Sequence, residues 1–252
     1  MTRNRTILAM LAVVAIAVGG YVAYDNVLRG DAIAPLALPR AAPTNATASE
    51  PSTAAASGSP AVDPTGGATD ASVAGSWTIV AGSEAGYRVR EQLANLPAES
   101  DAVGRTSDVT GTITVVEAGD GAQLTAGEIN VDTTTIQSNE NRRDNRLRTE
   151  GLQTDQFPTA TFKLTQPVDV PAAALAGAAT DLTLVGDLTL HGVTKAVQIP
   201  AQAQIVNGQI AVTGSISFPL SDFQIQTPNV GGFIVSIADQ GALEFLVVFA
   251  KG

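Results

Sequence analysis

No cysteine occurs in the 252 residues, and there is a single histidine, His191. Structural disulfides, thiol nucleophiles, Cys-ligated metals and a lipid-modified N-terminal cysteine are excluded together, as is any metal site built on two histidines. No metal and no cofactor is expected. Aromatic residues make up 4% of the chain and charged residues 15%, the latter well below the roughly 25% of an ordinary soluble domain. Positive charge is the scarcest kind: 14 Lys and Arg stand against 24 Asp and Glu, a net charge of −10. Nucleic-acid partners require a concentrated basic surface that displaces counterions, so that class is excluded. The same balance argues against a domain held electrostatically on an anionic bilayer.

What is abundant is apolar aliphatic sequence, and it is organised in three zones. Residues 6–24 form an uncharged run of mainly Ala, Val, Ile and Leu, preceded by Arg3 and Arg5 and followed by Asp25. As a helix, about 19 residues reach about 29 Å, close to the hydrocarbon thickness of a bilayer. The charge asymmetry places the remainder of the chain on the outer side of the membrane. Residues 1–25 are therefore expected to be a membrane anchor, making a single-pass protein with its C-terminal domain extracytoplasmic. A cleaved signal peptide is the rival, with Ala17-Val18-Gly19 as the cleavage site and a secreted or periplasmic product. Tyr21 and Tyr24 look more like an interfacial belt than a cleavage region.

Residues 26–74 come next, and from residue 41 they are almost wholly Ala, Pro, Ser, Thr and Gly. Such a stretch cannot bury enough apolar area to offset its ordering entropy, so 26–74 is expected to be a disordered linker.

From residue 75 to 252 an alternation of period two dominates, the signature of strands with one wet face. Leu182, Leu184, Leu188 and Leu190 alternate with Asp181, Thr183, Asp187 and Thr189. Val197, Ile199, Ala201, Ala203 and Ile205 form a second row. After Asn207-Gly208, a type I′ hairpin signal, Ile210, Val212, Ile216 and Phe218 form a third. Val109, Ile113 and Val115, then Ile129 and Val131, repeat the pattern earlier. Residues 243–249 are apolar on both faces near their end and fit a closing strand, or one covered by a helix. Only residues 139–154, rich in Arg and Asn, read as a short helix, with Asn139 or Asn141 as N-cap. Long meandering strands with almost no helix predict an all-β, closed antiparallel barrel.

Five short segments, in order, resemble the YceI-like family, also called polyisoprenoid-binding proteins. They are Trp77-Thr78-Ile79; the Arg143-Asp144 to Leu147-Arg148 stretch, similar to an RDxxLR element; Phe157-Pro158 to Phe162, similar to FPxxxF; residues 186–195, which match GxLTLHGVTK closely; and Ser221-Asp222-Phe223. The resemblance covers roughly residues 75–251. It implies a lipocalin-like barrel whose elongated cavity takes an isoprenoid chain, polyprenyl or quinone-type. Small barrels of about eight strands are wide enough for one such ligand. The sequence departs from the family after Leu147, where the usual aromatic is missing, and in the long Ala- and Pro-rich loop 167–180. Both departures are expected near a cavity mouth.

On this reading the cavity would be lined by Ile113, Ile129, Val131 and Phe162, by Leu184, Leu188, Leu190 and Ile199, and by Ile210, Val212, Ile216, Phe218 and Phe245. The same rows fit a barrel simply filled with side chains; few aromatics to plug the interior favours a tunnel. Arg142, Arg143, Arg146 and Arg148 are dense for so acidic a chain. A solvated helix paired with Glu140, Asp144 and Glu150 is the favoured reading, and a head-group clamp by Arg142, Arg143 and Arg146 the functional alternative. His191 has no visible nucleophile or titrating partner, so it reads as a turn residue whose imidazole satisfies turn backbone groups, beside Gly192. Asp108, Asp132 and Asp187 share no catalytic spacing. The expected function is non-enzymatic binding, sequestration or transport of an isoprenoid lipid or quinone outside the cytoplasm, with protein partners undefined. A ligand-free envelope module, and an enzyme acting on a lipid-like substrate, are the rivals.

Overall fold

The computed structural model describes residues 33–39, 72–93, 99–227 and 234–252. The expected membrane anchor, 1–25, lies outside them. Among the described residues no helix is long and apolar enough to cross a membrane.

The alternating segments fold into eleven antiparallel strands: β1 (Gly75–Ile79), β2 (Glu84–Leu93), β3 (Ser100–Thr106), β4 (Val109–Ala118), β5 (Gly121–Asp132), β6 (Thr159–Leu164), β7 (Val168–Val170), β8 (Thr180–Leu190), β9 (Val193–Val206), β10 (Gln209–Pro219) and β11 (Ile234–Lys251). They make eight staves. Thr78 faces Thr112 in the β1–β4 pair and Ala85 faces Thr106 in the β2–β3 pair, so the register runs through both interruptions. β1 with β2 is one bent stave and β3 with β4 the next; β5, β6, β8, β9, β10 and β11 are the other six, and β1 returns to β11 to close the ring. The closing strand anticipated over 243–249 is thus β11, with β1 rather than a helix at its side.

Ser83 repairs the break in the first stave. Its hydroxyl donates to the Val80 carbonyl and accepts from the Val248 N–H, both at 2.9 Å, replacing ladder partners that the bend removes. The two tight hairpins follow from residues tolerant of positive φ. His191-Gly192 joins β8 to β9 with φ of 51° and 73°, and Asn207-Gly208 joins β9 to β10 with 53° and 73°, the signs a type I′ turn requires. The His191 imidazole does not serve its own turn: Nδ1 pairs with the Phe223 carbonyl, on the loop after β10, at 3.0 Å.

One end of the barrel is packed solid. Trp77, Ile113, Val115, Ala122, Val247 and Phe249 form a continuous buried cluster there, with Ile210 and Val212 against it. The excursion 167–180 is part of this end, not of a mouth. β7 pairs with β5, and the short helix Ala172–Leu175 sets Leu175 against the sealed cluster, with Ala174 beside it at 1% exposure.

The other end is covered by residues 133–157, between β5 and β6. Thr133 ties their neck, its N–H donating to Pro158 O (2.8 Å) and its hydroxyl to Phe157 O (3.0 Å). The cover contains the expected short helix, α1 (Asn141–Arg146), extended by a π-turn at Leu147–Gly151. Its N-cap is Glu140, whose side chain accepts from Arg142 N; Asn139, expected as cap, accepts from Arg143 instead.

Part of the expected linker is also placed. Residues 33–39 run extended along the outer wall, and Val73 packs against the sealed end while its carbonyl accepts from Trp77 Nε1.

Candidate functional site

Between the seal and the cover lies an apolar cavity of about 210 Å³. Inward rows from the staves line it, as the alternation predicts: Ile129, Val131, Phe162, Leu184, Leu188, Leu190, Ile199, Ile216, Phe218 and Phe245 all reach the wall. Three residues of the predicted lining do not. Ile113, Ile210 and Val212 point inward, but at the level where the interior is already filled, so they belong to the seal. Period two fixes the face of a residue and not its height along the barrel.

Two glycines in the inward rows create part of this space. A Cβ on Gly186 would lie 2.5 Å from the Phe162 ring, and one on Gly214 would lie 2.7 Å from the Phe245 ring. Each ring reaches over the neighbouring stave's glycine, into space that a side chain there would take. A ring of that size standing inward would fill much of the section of so narrow a barrel.

The polar groups gather at the covered end. Tyr87 and Glu91 come from β2, and Arg143, Arg146, Leu147 and Leu152 from the cover. Arg143 forms an ion pair with Glu91, which is 4% exposed, in place of the expected pairs with Glu140, Asp144 and Glu150. Asp144 is itself buried and accepts from the Ser138 N–H (3.0 Å) and hydroxyl (2.7 Å), holding the cover's first turn. Arg142, expected beside the other two, is exposed and stands off the cavity. Arg146 lines the wall with no described carboxylate in ion-pair reach. The Tyr87 hydroxyl and Arg143 Nε are both buried and make no hydrogen bond of good geometry among the described residues, the Ser138 hydroxyl being the polar group beside the phenol. Burial is the main cause that pushes the Tyr87 phenol up to about 12; the Arg143 cation and Ser138 oppose it, and Asp144 and Glu91 reinforce it. The phenol is therefore a neutral donor at any ordinary pH.

Tyr87 and Glu91 escaped the sequence reading because arginines alternate with them. Ala85, Tyr87, Val89 and Glu91 nonetheless keep a period of two, and that row was the available signal. His191 stands away from the cavity, its ring edge-on to Phe157 at 4.6 Å. Among the described residues no cluster of His, Asp and Glu has the makings of a metal site.

The YceI-like domain model matches residues 77–249. A curated relative from Shewanella denitrificans, a UPF0312 protein, is 34% identical over 134 residues, 49% of this chain and 64% of that protein. One from Vibrio cholerae is 34% identical over 113 residues, 42% and 56%. The chain thus spans less than two thirds of the length of these relatives. Among solved structures, a polyisoprenoid binding domain from Saccharophagus degradans superposes with a TM-score of 0.54 at 16% identity, covering 71% of this chain and 99% of that one. Burkholderia cenocepacia BcnA superposes at 0.50 with 18% identity, covering 66% and 95%. At such identities these two likenesses speak for the fold.

Proposed function

The chain belongs to the YceI-like domain family, and from that membership we propose that it binds an isoprenoid lipid, without catalysis, inside its barrel. The observation that carries this is the cavity itself: a predominantly apolar lining, packed solid at one end, with Tyr87, Glu91, Arg143 and Arg146 grouped at the other. A prenyl tail needs no directed contact, since burial contributes about 25 cal/mol per Å² removed from water. A head group would meet Arg146 at the covered end. A solved relative described as a polyisoprenoid binding domain supports the ligand class. Binding is favoured over catalysis because Glu91 is committed to Arg143, Tyr87 keeps its proton, and His191 lies elsewhere. The run 6–24 would hold the barrel on the outer side of a membrane, where lipid is sequestered or passed on.

Organic extraction of the purified full chain followed by mass spectrometry tests the reading. An isoprenoid lipid at near-stoichiometric amount is expected. Protein that yields none, and takes up no fluorescent prenyl probe, would refute it.

A further inference from the structure

Residues 33–39, Ile-Ala-Pro-Leu-Ala-Leu-Pro, cross the outer wall from strand to strand instead of adding to a sheet edge. Four side chains from four strands hold them, three donating to a backbone carbonyl of the segment and the fourth sharing its proton with one. Arg88 Nη2 on β2 donates to Ile33 O (2.9 Å), and Arg105 Nη2 on β3 to Ala34 O. Thr213 Oγ1 on β10 lies 3.1 Å from Leu36 O and 2.9 Å from Phe245 O, its single proton shared between the two carbonyls, and Gln204 Nε2 on β9 donates to Pro39 O (2.7 Å). The lengths agree. From β3, which holds Ala34, to β9, which holds Pro39, is four strand spacings in the order β3-β2-β11-β10-β9, about 19 Å; the five steps from 34 to 39 span about 16–18 Å extended, and the long Arg105 side chain covers the remainder.

The surface underneath is made for this occupant. Glu244, Thr213 and Gln204 project from the wet face yet are only 5%, 8% and 8% exposed. Glu244 accepts from Arg105 (2.7 Å) and lies 3.4 Å from Arg88, so its charge holds both guanidinium groups in place for the segment. The donors match a chain in which Pro35 and Pro39 offer carbonyls and no N–H, as in other recognition of extended proline-containing peptides. Leu36 and Leu38 turn towards the wall while Ile33, Ala34, Pro35, Ala37 and Pro39 stay exposed.

We propose that residues 33–39 are a docking strap, and that Arg88, Arg105, Thr213, Gln204 and Glu244 form its receptor, an outer-wall site for an extended proline-containing segment supplied by the chain itself. The cis segment is favoured because the roughly 32 residues that return to Ser72 keep it at millimolar effective concentration. Where the run 6–24 is an anchor, the strap changes the reach of the barrel. Undocked, residues 25–71 would let it wander by well over 100 Å at full extension; docked, only residues 25–32 intervene, about 30 Å at most. The strap then also fixes which wall faces the bilayer.

The absence of native cysteine permits a direct test. Ala37→Cys in the full chain, in detergent micelles, carries a spin label, with Ala54→Cys as the reference position. The label at 37 is expected to be immobilised. Thr213→Val with Gln204→Leu should release it, and so should Leu36→Asp with Leu38→Asp, which leaves the barrel sequence untouched and covers the case in which the wall variant fails to fold. Released variants should keep the parent's uptake of prenyl probe, which separates this inference from the lipid reading. A mobile label in the parent, or immobilisation that neither pair loosens, would overturn the strap. Immobilisation that vanishes on dilution or with excess unlabelled protein would assign the groove to a second copy and overturn docking in cis.

Discussion

The imidazole of His191 and the carbonyl of Phe223, 32 positions apart, are joined at 3.0 Å, tying the β8–β9 hairpin to the turn that follows β10. The tie crosses between two non-adjacent connections at the same end of the barrel. His191→Ala should cost about 1–2 kcal/mol, the range for a hydrogen bond whose partner is left unpaired. The expected result is a melting temperature a few degrees lower, with prenyl-probe binding intact well below it. A variant of full stability that no longer binds would show that His191 serves the ligand.

Ile216 and Val212 lie on one face of β10, four residues apart, in different surroundings: Ile216 lines the cavity and Val212 packs on the seal. Ile216→Trp should fill free space, leaving the unfolding free energy nearly unchanged while probe uptake falls steeply. Val212→Phe should overpack, at about 1–3 kcal/mol. Denaturant titrations of both variants beside probe binding check the pair, and equal destabilisation would contradict the division between cavity and seal.

Gly214→Ala acts through its neighbour. The added methyl displaces the Phe245 ring from its shelf, and the ring's remaining course is into the lumen. Uptake should fall, and Phe245→Leu in the same chain should restore much of it. Failure of the second change to rescue the first would mean that the Pro200 carbonyl, 2.9 Å from the new Cβ, is the obstacle that matters.

Tyr87 gives a pH signature. The unfolded phenol ionises near 10 and the folded one near 12, so proton loss favours the unfolded chain. The contribution is fully present below pH 10 and is lost as pH rises towards 12, by at most about 2–3 kcal/mol. Parent and Tyr87→Phe should therefore converge or cross in stability over that interval, measured by denaturant titration at fixed pH values. Parallel profiles would refute the shift.

Arg146→Ala should leave the melting temperature within a degree or so, since a half-buried cation with no carboxylate in reach among the described residues contributes little. It should weaken a prenyl phosphate probe more than a prenol of the same tail length. Equal loss for both would remove Arg146 from the head-group contacts.

The staves were legible because a half-buried strand writes its burial into alternate positions, as in Leu184, Leu188 and Leu190. The hairpins were legible in Asn207-Gly208 and in the His191-Gly192 pair. The heights of Ile113, Ile210 and Val212 were not, because they depend on how far the seal of Trp77 and Phe249 extends. The arginines misled for a related reason: charge order within residues 140–150 suggests local pairs, while Arg143 reaches Glu91, 52 residues away. Residues 33–39 have no period at all, since their order comes from donors on four distant strands.

A cavity floored by Trp77, Phe249 and Leu175 would act on a lipid tail as a dead-end sleeve, and a sleeve of fixed depth measures what is put into it. A flexible chain enters with its slim end leading, leaves by reversing, and can never be threaded through. Its first methylenes gain the most from contact with the blind end, so a chain too short leaves void beside Arg146. A chain too long would hold its head beyond the reach of Arg146. Selection by length would then reside in the residues of the floor, far from any group that touches the head.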